Sequence, residues 1–514
     1  MKKSKPNILR IIRIALATVF FAGITLLFLD VTGILHTWLG WMAKVQFLPA
    51  VLALNVVTVA VLLLLTLVFG RVYCSVICPL GVMQDIVSWT RGRFKKKNRF
   101  RFKFEKENKW LRYAFLVLFI VTMIFGVHAI AGLLAPYSTY GRIAQNLFAP
   151  VYGLCNNLIA WIFNRFDSYA FYGREVWVRS VPVFIVSAAM FILLCVLAWR
   201  GGRTWCNNVC PVGTVLGFFS RFSLFAPSID TSKCRACGLC GRQCKASCID
   251  MENHRIDTSR CVSCMDCIDT CNEGAIQYRF RYGRKDKGAA EPQSGSKAVS
   301  KTEHAADGGR RAFLISTAIL GASAVKAQEK AVGERLAPMR KHVVSKRETP
   351  LVPAGSISLK HFSDHCTSCQ LCVNTCPNNV LKPSSSLDRF MQPEMSYERG
   401  YCRAECTECS QVCPAGAILK ISPEEKSSIQ IGHASVDYSL CVVTTDGVGC
   451  GNCAKHCPAG AISMVLSDPS DSKSLRIPAV NEEVCIGCGA CENLCPASPV
   501  PAIRVEGHLV HKTL

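Results

Sequence analysis

Apolar residues crowd the first 200 positions of the chain in four long runs, near residues 11–30, 47–69, 113–135 and 180–199. A helix needs roughly 20 residues to cross a hydrocarbon core about 30 Å thick. The second run and the third run carry no formal charge. Four such runs in succession predict four membrane-spanning helices rather than four core helices. The first continues as Leu27-Phe28-Leu29-Asp30 with no small-residue cleavage site, so it is read as retained.

The loops give an orientation. The N-terminus and residues 91–112 are strongly basic, whereas residues 31–46 hold one lysine, which predicts that the basic segments stay on the cytoplasmic side of the membrane. Much of the net charge of +23 follows from this topology, which disfavours nucleic acid as a partner. The mean hydropathy of +0.25 agrees with lipid as a partner. The region is also duplicated. Gly70-Arg71-Val72-Tyr73-Cys74 through Cys78-Pro79-Leu80-Gly81 matches Gly202-Arg203-Thr204-Trp205-Cys206 through Cys210-Pro211-Val212-Gly213 at an offset of 132 residues. The pairs Cys74/Cys78 and Cys206/Cys210 could ligate an additional centre, form a redox-active dithiol, or only pack. Tyr73 and Trp205 read as interfacial aromatics.

The chain holds 31 cysteines, and 24 of them fall into six groups of four. Cys234, Cys237, Cys240 and Cys244 follow C-x2-C-x2-C-x3-C, as do Cys261, Cys264, Cys267 and Cys271, then Cys366, Cys369, Cys372 and Cys376, and finally Cys485, Cys488, Cys491 and Cys495. Cys402, Cys406, Cys409 and Cys413 widen the first gap to three residues, and Cys441, Cys450, Cys453 and Cys457 widen it to eight. A [4Fe–4S] cube takes four thiolates. A short loop supplies three, and the fourth cysteine joins the neighbouring cube. Zinc sites use two separated pairs, and disulfides between residues three apart are geometrically poor. The spacing therefore predicts Cys234, Cys237, Cys240 and Cys271 on one cube, with Cys261, Cys264, Cys267 and Cys244 on a second. Cys155, Cys195 and Cys248 are left with no ligand role.

The regular motif, with the recurring Gly274-Ala275-Ile276, Gly416-Ala417-Ile418 and Gly460-Ala461-Ile462, resembles the bacterial two-cluster ferredoxin fold. Lys245 and Asn272 stand where that pattern has proline. Residues 1–280 resemble the NapH/MauN membrane ferredoxins, and the chain from about Gly308 resembles NapG/MauM, as though the two were fused. The resemblance to four-cluster subunits implies that the first of the last four motifs pairs with the fourth and the second with the third. Cys495 would then complete the cube of Cys366, Cys369 and Cys372, and Cys376 that of Cys485, Cys488 and Cys491. Cys457 would join Cys402, Cys406 and Cys409, and Cys413 would join Cys441, Cys450 and Cys453.

The expected fold class is membrane α-helical, with four transmembrane helices, plus α+β bacterial-type ferredoxin domains, one two-cluster and one four-cluster. The expected domains are the transmembrane module 1–225, a two-cluster ferredoxin 226–280, a linker 281–355 and a four-cluster ferredoxin 356–514. Within the linker, residues 308–327 carry Gly309-Arg310-Arg311-Ala312-Phe313-Leu314, which resembles a twin-arginine export signal. Export would place residues 356–514 in the periplasm, with residues 200–280 cytoplasmic. The family resemblance implies a quinol dehydrogenase component with six [4Fe–4S] clusters, fed by the quinol pool and serving a terminal reductase or multihaem cytochrome. His36 and His128, at the outer ends of the first and third runs, are candidates for a quinol site. The competing class is an accessory or assembly protein that reduces a metal centre during maturation of a partner oxidase or reductase.

Overall fold

The computed structural model describes residues 7–30, 33–94, 102–167, 171–173, 175–282 and 347–514, so the twin-arginine-like segment lies outside the described residues. Helix α1 (Ile8–Leu29) starts at Asn7, whose side chain accepts from the Leu9 amide, and ends at Asp30. The run expected at 47–69 is broken. Leu54 adopts a left-handed conformation and the Asn55 side chain caps a new helix, α2 (Val56–Phe69). The short helical turns between α1 and α2 fold back into the bundle, with Met42 lying against Gly23 in the middle of α1.

After α3 (Pro79–Phe94), helix α4 (Lys109–Ile124) stops eleven residues short of the expected end of its run, at a turn through Gly126 with φ +72°. A span the sequence reading passed over follows. Helix α5 (Pro136–Ile143), a π-helical turn at Ala144–Phe148 and helix α6 (Ala149–Asn164) form one rod of 29 residues. Its polar side chains lower its hydropathy, yet Arg142 is buried and donates to the carbonyl of Gly132 (2.8 Å) and to Thr139 Oγ1 (3.1 Å). Helix α7 (Val181–Gly201) matches expectation. Among the described residues, three helices are thus long and apolar enough to cross a membrane: α1, Pro136–Asn164 and α7.

The small ferredoxin unit is closed by β1 (Phe225–Ile229) antiparallel to β2 (Ile276–Phe280), with Ile229 opposite Ile276. In the large unit, β3 (Ile429–Val436) pairs with β6 (Ile503–Thr513), and β4 (Ile462–Leu466) with β5 (Arg476–Val480). The large unit begins before residue 356. Leu351 and Val352 are buried in its core and Leu351 accepts from the Met395 amide, so residues 347–355 belong to it and not to a linker.

The two units sit at opposite ends of the bundle. At one end Arg10 pairs with Asp266 and Asp269, Ser263 donates to the carbonyl of Phe69, and Arg203 N–H donates to the carbonyl of Lys245. At the other, Asn374 donates to the carbonyl of Asp30 (3.0 Å), Asn146 to Gln370 (2.9 Å), and Arg399 pairs with Glu175 (2.7 Å). The 22 residues of α1 connect these ends over about 33 Å.

Candidate iron–sulfur sites and the buried cysteine pairs

The regular motifs share a backbone signature. In each, the second residue after the first cysteine and the residue after the second cysteine have positive φ: Ala236 and Gly238, Ser263 and Met265, Ser368 and Gln370, Gly487 and Gly489. Left-handed geometry costs a non-glycine residue about 1–2 kcal/mol, and here it curls the loop so that three sulfurs face one space. A short helix then carries the chain away, and Cys244, Cys271 and Cys376 cap such helices.

Six sets of four cysteines result. Cys240 interacts electrostatically with Cys237 and Cys271, two of its three expected partners. Cys244, Cys261, Cys264 and Cys267 line a cavity of about 410 Å³, again as expected. The large unit departs from the expected pairing. Cys366, Cys369 and Cys372 face Cys413, not Cys495. Cys402, Cys406 and Cys409 share a cavity of about 370 Å³ with Cys376, not Cys457. Cys441, Cys450 and Cys453 line one with Cys495, not Cys413. Cys485, Cys488 and Cys491 line one of about 300 Å³ with Cys457, not Cys376. Motifs adjacent in sequence therefore exchange their fourth cysteines, first with second and third with fourth.

These spaces suit a cube better than a lone ion. Among the described residues, no three His, Cys, Asp or Glu side chains converge tightly enough to hold a single metal ion. All the cysteines are free. Burial pushes the bare thiols up, Cys369 to about 11 and Cys488 to about 12, so loading must displace protons. The Lys426 ammonium donates to Cys402 Sγ (3.2 Å) and to the carbonyl of Arg403 (2.6 Å). Cys248, given no role from sequence, is a fifth sulfur in the cavity of Cys244, 3.5 Å from its Sγ. It occupies the position of alanine in the Gly-Ala-Ile pattern, which was the available signal. Cys155 is exposed and Cys195 half-buried.

Cys74, Cys78, Cys206 and Cys210 are all buried in the bundle core. Tyr73 and Trp205 are buried as well, not interfacial. The Tyr73 hydroxyl donates to Gln46 Oε1 (3.1 Å) and accepts from the Phe47 amide. His36 and His128 lie where the large unit meets the bundle. His36 Nε2 is 3.3 Å from Thr375 Oγ1, and His128 Nε2 is 3.6 Å from Asp364 Oδ1.

Comparison with known proteins agrees with this geometry. A family model described as a 4Fe-4S binding domain matches residues 51–97 and 183–229, the segments that carry the two buried cysteine pairs. A second, described as a 4Fe-4S dicluster domain, matches 365–417 and 448–498, the same division into adjacent motifs that the cavities make. The chain is similar to the NapH and MauN ferredoxin-type proteins. It is 28% identical over 228 residues to the methylamine utilization ferredoxin-type protein MauN of Methylobacillus flagellatus, covering 43% of this chain and 65% of MauN. It is 26% identical over 194 residues to the ferredoxin-type protein NapH of Haemophilus influenzae, covering 37% of this chain and 54% of NapH. The ferredoxin-type protein MauM of Methylobacillus flagellatus is 31% identical over 143 residues, 27% of this chain and 61% of MauM. The chain thus spans less than two thirds of each of these three relatives. No solved structure matches. These similarities support an iron–sulfur electron-transfer role for a protein with membrane-crossing helices.

Proposed function

We propose that the protein is an inner-membrane electron carrier that takes electrons from quinol and delivers them to a separate terminal reductase or multihaem cytochrome. The observation that carries this reading is the placement of two ferredoxin units, with six four-cysteine sites between them, at opposite ends of an apolar helical bundle. Each of the six sites holds a [4Fe–4S] cluster in this reading, and such a cluster supplies reversible one-electron transfer when bound.

The chain's own residues do the rest. A quinol ring would need an apolar slot open to lipid, and His36 and His128 would offer nitrogen acceptors for its protons beside the large unit. The His128 imidazole would hand its proton toward Asp364, whose side chain is half exposed and opens to water.

The same reading sets the sidedness. Basic segments at the small-unit end favour a cytoplasmic small unit and a periplasmic large unit. The deciding experiment adds menaquinol to anaerobically purified full-length protein and follows the iron–sulfur absorption and low-temperature paramagnetic spectra. Bleaching with a new paramagnetic signal is expected. Material that bleaches with dithionite but never with quinol would overturn the donor assignment.

A further inference from the structure

The six ferredoxin sites leave over the two C-x3-C-P pairs, which lie 132 residues apart in sequence. The fold closes them onto one another with crossed symmetry. Arg71 Nη2 donates to the carbonyl of Cys206 (3.2 Å), and Arg203 Nη1 donates to the carbonyl of Cys74, so each guanidinium secures the loop of the other copy. Gly81 and Gly213 make room for this. A Cβ there would stand 2.2 Å from the Cys74 carbonyl or 2.3 Å from that of Cys206.

The charges around the four thiols are out of balance. Arg203 has Asp85 as a counter-ion (2.7 Å), but Arg71, fully buried, makes no ion pair among the described residues and its Nε is unpartnered. Its contacts are the neutral Asn207 Oδ1 (2.9 Å), the carbonyls of Ser259 and Cys206, and Cys74 Sγ at 3.8 Å. A buried cation without an anion is costly, and an anionic thiolate-ligated cluster beside it would supply the missing charge. Gln84 Nε2 aims a second donor at Cys206 Sγ (3.3 Å). All four cysteines are free, and Cys210 interacts electrostatically with each of the other three.

We infer that Cys74, Cys78, Cys206 and Cys210 hold a seventh iron–sulfur centre, a [4Fe–4S] cube inside the bundle, through which the two ferredoxin units exchange electrons across the membrane. Its surroundings reach both units. Toward the small unit, Arg71 Nη1 donates to the carbonyl of Ser259 (3.0 Å), two residues before Cys261, and Asn207 donates to that of Ala246 (3.1 Å), two residues after Cys244. Toward the large unit, Tyr73 adjoins Cys74, and buried Tyr137 interacts electrostatically with Tyr73, Cys369 and Cys413. Helix α5 packs so closely on the Cys369 loop that a Cβ at Gly141 would stand 2.5 Å from the Cys369 carbonyl. Each transfer moves one electron and makes or breaks no bond: the centre on one side is oxidised as the buried one is reduced, and the buried one is reoxidised by the other side.

This inference rests on the electron-transfer reading but is tested without quinol. Full-length protein is sealed into liposomes and dithionite, which does not cross lipid, is added outside only. The wild type is expected to hold about 28 iron atoms per chain rather than about 24, and to bleach completely. The variant Cys74→Ser/Cys206→Ser is expected to lose about four iron atoms, and to bleach only in the outward-facing units until detergent opens the vesicles. Wild-type protein with about 24 iron atoms, or wild-type protein that bleaches only partly before detergent, overturns the inference whether or not the variant assembles. Failure of quinol to reduce the protein would leave both of these readouts unchanged.

Discussion

Asp85 of α3 and Lys245 of the small ferredoxin unit lie 3.0 Å apart at the junction between bundle and ferredoxin. The same carboxylate receives Arg203 (2.7 Å) and Arg13 (3.1 Å), and Lys245 also reaches Asp266 (2.9 Å). One acid therefore gathers three cations from three parts of the chain. Removing it strands buried charge, which costs about 3–5 kcal/mol. Asp85→Asn should lower the thermal denaturation midpoint of the purified protein and release iron first from the small unit.

The same site sets an acid limit. Burial works against ionisation of Asp85, but Arg203 and Lys245 outweigh it and hold the carboxyl well below the usual carboxylate range. Its contribution is complete above the unfolded carboxylate pKa of about 4, and is lost as pH falls toward the depressed folded value. Thermal midpoints measured from pH 7 down to pH 3 should fall at the acid end for the wild type and more shallowly for Asp85→Asn.

The exchange of fourth cysteines is open to an iron count. Cys369→Ser and Cys413→Ser should each lose about four iron atoms, and the double variant the same four, since both belong to one cube. Under the first-with-fourth pairing the double variant would lose about eight.

Lys426 places a positive charge against Cys402 Sγ, and hydrogen bonds and charge at a cluster sulfur raise its reduction potential. Lys426→Met should shift one centre, that of Cys376, Cys402, Cys406 and Cys409, to lower potential in an anaerobic redox titration read by paramagnetic resonance, with the others unmoved.

Replacing His36 and His128 together by leucine should slow menaquinol-dependent bleaching at least tenfold while dithionite still reduces every cluster. Equal rates in variant and wild type would remove both residues from the quinol site.

The cysteine chemistry was legible in the sequence because a cube dictates the spacing of its own loop. The pairing within the small unit followed from that spacing, whereas the pairing in the large unit was taken from a resemblance and came out differently. Fourth cysteines are matched by the packing of helices such as those ending at Cys376 and Cys413, which no local spacing encodes. The broken runs at Leu54 and Gly126 and the missed rod at Pro136–Asn164 have a similar origin. Hydropathy weighs Arg142, Gln145 and Asn146 as if water were their only partner, yet Arg142 and Asn146 bond to Gly132 and to Gln370 of a domain more than 200 residues away.

Helix α1 is pinned at its start by Arg10 to Asp266 and Asp269 and at its finish by the carbonyl of Asp30 to Asn374. It behaves as a strut of set length. A host bilayer of another thickness must therefore thin or swell around the protein, because the strut does not stretch. Lipid composition should govern how readily the chain inserts and tilts, while the gap an electron has to cover stays the same.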